Sequence, residues 1–506
     1  KASSKHAPRT QAKGWTMRPS DRSGPSGGLG KAAAAAVAML LLGGCMLGPD
    51  YKRPELAVPD QFRSSPPRNE VSPSAADTAW WQQFGDAQLN ALIDEALANN
   101  LDVIAAAARV DQFYGALGVT RSALFPQVGA DLNGSRQRAS TETATGAPII
   151  NPYNSVQAAL LASWEIDLFG RTRRLTESAT AQLRGSEAVR RATVLSLVAA
   201  VTAGYVQLRD LDRQVEVARD TVKLRADSLA LFERRFKGGV VSDLEVSQAK
   251  SEYATALRTL PQLEQSAAQQ ENALAVLVGR NPGPIARGRA IDQLIMPPVP
   301  AGLPSELIER RPDLLAAEQS LVAANARIGA AKAAYFPTIS LTGAFGAASR
   351  SLSDLSSGAA RVWSYGLDVS VPIFTAGAIA GQVESAEAGQ RESLAQYRKA
   401  VQNGFRETED ALVGVGKTKL ARDAAQQQTD ALANYARLAR KRYDGGYTSY
   451  LEVLDAERSL FNAQLQLAQS QADVLLQAAA LYKAMGGGWV DLADQLAPKP
   501  KNASEG

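Results

Sequence analysis

Apolar positions recur along this chain with two periods, and the switch between them falls at corresponding places in two halves. Val128, Ala130 and Leu132 alternate with Gly129, Asp131 and Asn133, and Val156, Ala158, Leu160, Ala162, Trp164 and Ile166 face away from Gln157, Ser163, Glu165 and Asp167. The same alternation returns in Ile339, Leu341, Gly343 and Phe345, and again in Trp363, Tyr365, Leu367, Val369 and Val371. Successive strand side chains point to opposite faces, so period two predicts four strands, at about 127–135, 156–166, 338–345 and 362–372. Phe125-Pro126 and Phe336-Pro337 open the two hairpins after Ala-rich helical runs, where proline is a natural stop.

Between the hairpins the period lengthens. From Leu197 an apolar stripe passes through Val201, Tyr205, Leu208, Leu211, Val215, Ala218, Val222, Ala226, Leu229, Phe232 and Phe236, eleven steps over 39 residues. A spacing near 3.5 is that of a coiled coil, and a helix from about Thr172 to Phe236 would reach roughly 95 Å. That is too long for a compact domain. A second helix follows from about Ser242 to Val278, with Pro261 expected to kink or break it. The plan repeats from about Gly377 to Arg442, then in heptads through Leu451, Leu454, Arg458, Phe461, Leu465, Ala468, Ala472, Leu475, Ala479 and Tyr482, where Arg458 is the one charge.

The turns between these helices reveal a duplication. RFKGGVVSDLEV at Arg235–Val246 returns as RYDGGYTSYLEV at Arg442–Val453, with seven of twelve positions identical at an offset of 207. This offset exceeds any solenoid repeat, so a half-chain has been copied. The repeats are placed at 79–278 and 303–486, joined by a linker at 279–302, with an extended segment at 45–78 before them and a polar tail at 487–506 after. Gly238, Gly239, Gly445 and Gly446 are expected to supply positive φ where one helix ends and its partner begins. Together with Val240 and Tyr447 they form two tips per chain, a docking surface far from the strands.

Strands of 9 to 11 residues match a tilted crossing of a hydrocarbon core, with one face to lipid and one to a polar lumen. Four cannot close a barrel, and an open edge in lipid strands backbone groups at several kcal/mol each. The barrel must be shared. Two copies give eight strands and three give twelve, in a cyclic arrangement either way.

Composition adds a leader. The chain of 506 residues carries a formal net charge of +4, but Lys1, Lys5, Arg9, Lys13, Arg18, Arg22 and Lys31 all precede residue 45 against Asp21 alone. The remainder is slightly acidic, so the basic excess points to no nucleic-acid partner. Residues 1–44 read as leader and signal peptide, with Met17 as the natural start, because the apolar run Ala32–Leu42 is too short to span a bilayer. It ends in LLGGC, which resembles a bacterial lipobox and makes Cys45 the lipidated N-terminus of the mature chain. Met46, rather than Asp, follows it, which favours the outer membrane.

The inventory also removes most enzymes. His6 is the only histidine and lies in the leader, and Cys45 is the only cysteine. Zinc sites built on Cys and His, and triads with a His base, are excluded, and no metal or cofactor is expected beyond a covalent lipid. The leader's GPSGG has no strand before it. ALVGVGKT at Ala411–Thr418 lacks the first glycine of a P-loop and sits in a helical stretch where a strand is required.

In combination, several segments are similar to the TolC-like outer-membrane efflux channels, in their lipoprotein branch paired with resistance-nodulation-division pumps. They are AWWQQFGDAQLNALIDEALANNLDV at Ala79–Val103, LPSELIERRPDLLAAEQ at Leu303–Gln319, both Phe-Pro openings, LDVSVPIF at Leu367–Phe374 and RYDGGYTSYLEVLDAERSLFNAQ at Arg442–Gln464. The resemblance implies a mostly α homotrimer, with a twelve-stranded β-barrel in the outer membrane continued by a twelve-helix periplasmic α-barrel. It implies an equatorial belt from the linker and the chain ends. A periplasmic gate carries over as Leu451, Asp455 and Arg458, with Glu452 beside them, whereas Leu244, Glu245, Gln248 and Ser251 hold the equivalent first-half positions. The implied function is passive conduction of small molecules from an inner-membrane pump and a periplasmic adaptor. Polypeptide (type I) secretion, and an adaptor lipoprotein with no barrel, are the alternatives weighed against it.

Overall fold

The protein is described by a computed structural model over residues 46–64, 71–72, 78–140, 142, 151–300, 304–486 and 489–504. Cys45 and the rest of the leader lie outside the described residues, as does most of the first hairpin's loop.

The body has the predicted duplication, element for element. The first repeat runs α1 (Ala87–Asn99), α2 (Leu101–Ser122), β1 (Gln127–Gln137), β2 (Tyr153–Ile166), α3 (Arg171–Lys237) and α4 (Asp243–Leu277). The second runs α5 (Pro304–Arg310), α6 (Pro312–Ala333), β3 (Thr338–Ser349), β4 (Arg361–Ser370), α7 (Ala378–Asp444) and α8 (Tyr450–Met485). Equivalent helices match closely: α2 and α6 have 22 residues, α3 and α7 have 67, and α4 and α8 have 35 and 36. At 1.5 Å per residue the two longest are each about 100 Å.

The strands form one antiparallel sheet in the order β1-β2-β3-β4, with β1 and β4 at its edges. Pairing places Leu132 opposite Ala158, Leu160 opposite Phe345, and Phe345 opposite Trp363, so one face is apolar across all four strands. Asp131, Gln157, Ser163, Thr342, Ser364 and Asp368 occupy the other. Among the described residues nothing covers the apolar face: Val128, Leu132, Phe345, Trp363 and Tyr365 are all more than half exposed.

Side-chain contacts between distant segments hold the long helices. Asp86 caps α1, accepting from Gln88 N at 2.8 Å, and also accepts from the Tyr205 hydroxyl of α3 and from Arg289 N, both at 2.8 Å. Gly288 N donates to Tyr205 Oη, so the Pro-rich connection is pinned to the middle of α3. Trp80 stacks on Tyr482 with ring centroids 4.9 Å apart, and Trp489 meets Trp80 and Trp81 edge-on. Trp489 opens α9 (Trp489–Leu496), whose Val490 and Ala493 are also buried. The segment expected as a polar tail therefore supplies core, because its apolar residues repeat at helical spacing over too few turns to stand out.

Two helix ends meet two helix starts. α4 stops against the α1–α2 junction, where Asn100 Nδ2 donates to Leu277 O at 2.9 Å, and α8 stops against the α5–α6 junction, where Arg311 Nη1 donates to Ala484 O at 3.0 Å. Gly279 (φ +79°) and Gly486 (φ +61°) make the exits, and a Cβ on Gly279 would lie 2.4 Å from Asn99 O. Each repeat thus presents a full-length helix beside a column assembled from two.

Three local expectations change. α4 is continuous through Pro261, which is exposed, as is Leu257 four residues earlier, so water can satisfy the carbonyl that the proline ring leaves without a donor. β4 stops at Ser370, short of Val371. Only Gly239 and Gly446 have positive φ (+70° and +76°), while Gly238 and Gly445 have φ of −85° and −80°.

Candidate functional site: the helix tips

Each tip is built the same way by the backbone. Val240 N donates to Arg235 O and Tyr447 N to Arg442 O, both at 2.9 Å, so the second glycine in left-handed conformation closes a Schellman-type end. Gly445 differs: its φ is negative, and a Cβ there would lie 2.9 Å from the exposed Tyr447 ring, which would have to turn away. Val240, Leu244, Tyr447 and Leu451 are 59–80% exposed, so the tips carry an apolar patch at the end of the molecule.

The side chains treat the two tips differently. At the first, Ser242 and Glu245 form a capping box, with Ser242 N donating to Glu245 Oε2 at 2.8 Å. At the second, Ser449 is the N-cap but makes no side-chain cap bond, and the carboxylate of Glu452 takes the Thr448 hydroxyl and Arg442 Nη1 (3.5 Å) instead. A duplicated glutamate has been released from local capping and turned across the turn. One helical turn on, Arg458 Nη2 donates to Asp455 Oδ1 at 2.8 Å, with both side chains about half exposed.

Leu451, Glu452, Asp455 and Arg458 line one groove of about 600 Å³ with Gln248, Ser251 and Glu252 of α4 and Tyr435 of α7. The structure therefore brings the four sequence-derived gate residues together and sets them beside their first-repeat counterparts Gln248 and Ser251. Leu451 is 59% exposed here and outside the chain's own apolar seam, which instead uses Tyr450, Val453 and Leu454.

Beneath the groove lies a charged layer that sequence reading missed. Arg225 of α3, with its side chain only 6% exposed, donates to Glu252 O at 2.8 Å, approaches the Glu252 carboxylate at 3.1 Å and lies over the Phe461 ring at 5.3 Å. Arg440 of α7 stands 3.9 Å from Glu457 of α8. Burial pushes the Glu457 carboxyl up, opposed by Arg440 and Arg225, and burial lowers Arg225. The partner of each of these residues is on another helix, so no local spacing signals it.

At the opposite end of α3 the N-terminal segment is clamped. Arg174, 2% exposed, donates through Nε to Leu47 O at 2.9 Å and through Nη2 to Asp50 Oδ1 at 2.8 Å. Leu47 N donates to Phe169 O at 3.4 Å, just below the end of β2. Farther along, Arg53 Nε and the Tyr51 hydroxyl reach Glu318 of α6, at 2.8 and 3.0 Å, so the segment ties the two repeats together. Among the described residues no group of His, Cys, Asp and Glu could hold a metal ion.

A sheet with two bare edges and an uncovered apolar face, rooted on helices about 100 Å long, defines a subunit that completes a membrane barrel with copies of itself. The family model described as "Outer membrane efflux protein" matches residues 92–280 and 303–487, once in each repeat. The chain belongs to that family and is an outer-membrane efflux channel subunit. It is 38% identical over 468 residues to the probable efflux pump outer membrane protein TtgC of Pseudomonas putida strain KT2440, covering 91% of this chain and 96% of that one. It resembles the solved outer-membrane channel OprN, with a TM-score of 0.82 and 30% identity, over 88% of this chain and all of that one. The open state of the Neisseria gonorrhoeae MtrE outer membrane channel matches with a TM-score of 0.79 and 33% identity, over 88% and 98% of the two chains.

Proposed function

We propose that three copies close a twelve-stranded barrel in the outer membrane, continued into the periplasm by twelve helical columns. Each copy supplies four columns: α3, α7, α4 continued by α2, and α8 continued by α6. Small molecules delivered by an inner-membrane resistance-nodulation-division pump and a periplasmic adaptor pass through passively, and no residue performs chemistry on them. The observation that carries this reading is the four-stranded sheet, whose edge strands β1 and β4 have no outer partner among the described residues and whose faces divide into apolar and polar. Exposed backbone edges cannot persist in lipid, so they meet in a ring.

The tips serve as the adaptor's docking surface, through the patch around Gly238, Gly239, Val240, Gly445, Gly446 and Tyr447, and the second tip is the gate. Three copies of Asp455 around one axis would gather cations, and the flanking arginines Arg442 and Arg458 hold the acidic side chains in place while the channel is closed. Adaptor binding splays the hairpins, an iris-like change of helix packing. A lipid is carried on Cys45, and Met46, the first described residue after it, packs against Gly170 near the end of β2. Small-molecule efflux is favoured over polypeptide export by the relatives, which are named as components of efflux pumps.

Electron microscopy of the protein purified in detergent tests the assembly. The expected particle is a threefold tube with a wide barrel end and a tapered end; a monodisperse single subunit would overturn the reading.

A further inference from the structure

The duplication defines not only that copies meet but which residue faces which. Gln127 lies opposite Ser163 in the first hairpin and Thr338 opposite Ser370 in the second. Each β2 residue therefore corresponds to the β4 residue 207 positions later, and each β3 residue to the β1 residue 211 positions earlier. Within the chain, β2 and β3 form the seam between repeats, pairing Ala162 with Gly343, Leu161 with Ala344, Ala158 with Ala347 and Val156 with Ser349. A ring repeats this seam between copies, with β4 in the role of β2 and the next copy's β1 in the role of β3.

We infer that β4 pairs with β1 of the next copy in one register, Val369 opposite Leu132 and Asp368 opposite Asn133, with Tyr365 and Trp363 laid against Arg136 and Arg138. This rests on the ring of copies proposed above and adds the seam's chemistry to it.

Three observations support the register. It keeps both faces intact, since Val369 and Leu132 belong to the apolar face and Asp368 and Asn133 to the polar one; a shift of one residue would exchange them. It also covers what the isolated subunit leaves bare. Trp363 and Tyr365 are stacked at 5.6 Å and are 68% and 83% exposed, and two guanidinium groups opposite them supply cation–π partners at the outer rim. Beyond β4, Val371 and Ile373 are 51% and 97% exposed, whereas their counterparts Trp164 and Ile166 are paired with Leu341 and Ile339; Ala130 and Val128 of the next copy take that place. Finally, the two nearest face-preserving alternatives are poorer. A two-residue slip in one direction sets Asp368 against Asp131, a like-charge pair, and in the other sets Leu367 against Arg136 on the lipid face.

Cysteine pairs read the register directly. Residues directly opposite on antiparallel strands have Cα atoms about 4.5–5.5 Å apart, within disulfide reach. In one chain β1 and β4 are separated by β2 and β3, about 14 Å, so any bond joins two copies. Oxidised Leu132→Cys/Val369→Cys should run as covalent oligomers on a non-reducing gel and return to monomer with reductant. The slipped pairs Ala130→Cys/Val369→Cys and Leu132→Cys/Val371→Cys should cross-link several-fold less. Asp131→Cys/Ser370→Cys, on the lumen face, provides a second in-register pair should the first hinder assembly. A slipped pair that cross-links better, or assembled oligomers in which no pair cross-links, overturns the register. A protein that stays a single subunit before any substitution overturns the ring, and the seam with it.

Discussion

Asp210 shows how a single side chain can carry a cost that the helix around it conceals. It lies on α3, 9% exposed, and both its carboxylate oxygens accept from Gln214 Nε2 at 2.9 Å. Burial raises its carboxyl to about 6, with Gln214 opposing and Asp473 adding a little. Because the folded value lies above the unfolded one, the native state is favoured below about pH 4 and loses that advantage as pH rises through about 6. Asp210→Asn should therefore raise the unfolding free energy at pH 8, by about 1–2 kcal/mol, and leave it unchanged at pH 4. Equal shifts at both pH values would show that the gain does not come from ionisation. Sequence alone marked neither this residue nor Asp86, Arg174, Arg225 or Arg311. The last four act through partners far along the chain, as with Asp86 and Tyr205, and Asp210 through its burial, neither of which periodicity reports.

At the scale of elements, legibility was high where the signal is local. Alternation located all four strands because polar residues recur on one face of each, though Ala159 and Leu161 interrupt that face in β2, and heptad spacing located the long helices because their seams are continuous. Pro261 misled because a proline's effect depends on which side of the helix meets water. The tips combine both cases: the glycine pair was legible, but the contrast between Glu245 as a capping residue and Glu452 as a cross-turn acceptor was not, since the two sit in the same local motif. That contrast separates two outcomes. Asp455→Ala removes the partner of Arg458 and should raise closed-state conductance in planar bilayers, while Glu245→Ala should leave conductance unchanged and cost about 1 kcal/mol of tip stability. Equal closed-state conductance in Asp455→Ala and the parent would exclude the pair from the gate.

For the whole molecule, the N-terminal segment is the link between membrane and periplasm. It leaves Met46 at the foot of β2, passes the clamp at Arg174, reaches α6 through Arg53 and Tyr51, and meets Glu409 of α7, which accepts from Ser64 N at 3.2 Å. Metabolic labelling with radioactive palmitate should mark the parent protein and not Cys45→Ser; label retained in the variant would place the acyl chain elsewhere.

The columns joined at Gly279 and Gly486 have a mechanical consequence. A continuous helix carries twist along its backbone from one end to the other, whereas these joints are held by side-chain packing and a few hydrogen bonds. At Asn100 and Arg311 the chain is not continuous from α4 into α2 or from α8 into α6, so a rotation of α4 or α8 would not be carried along a helix backbone into the segments joined to them.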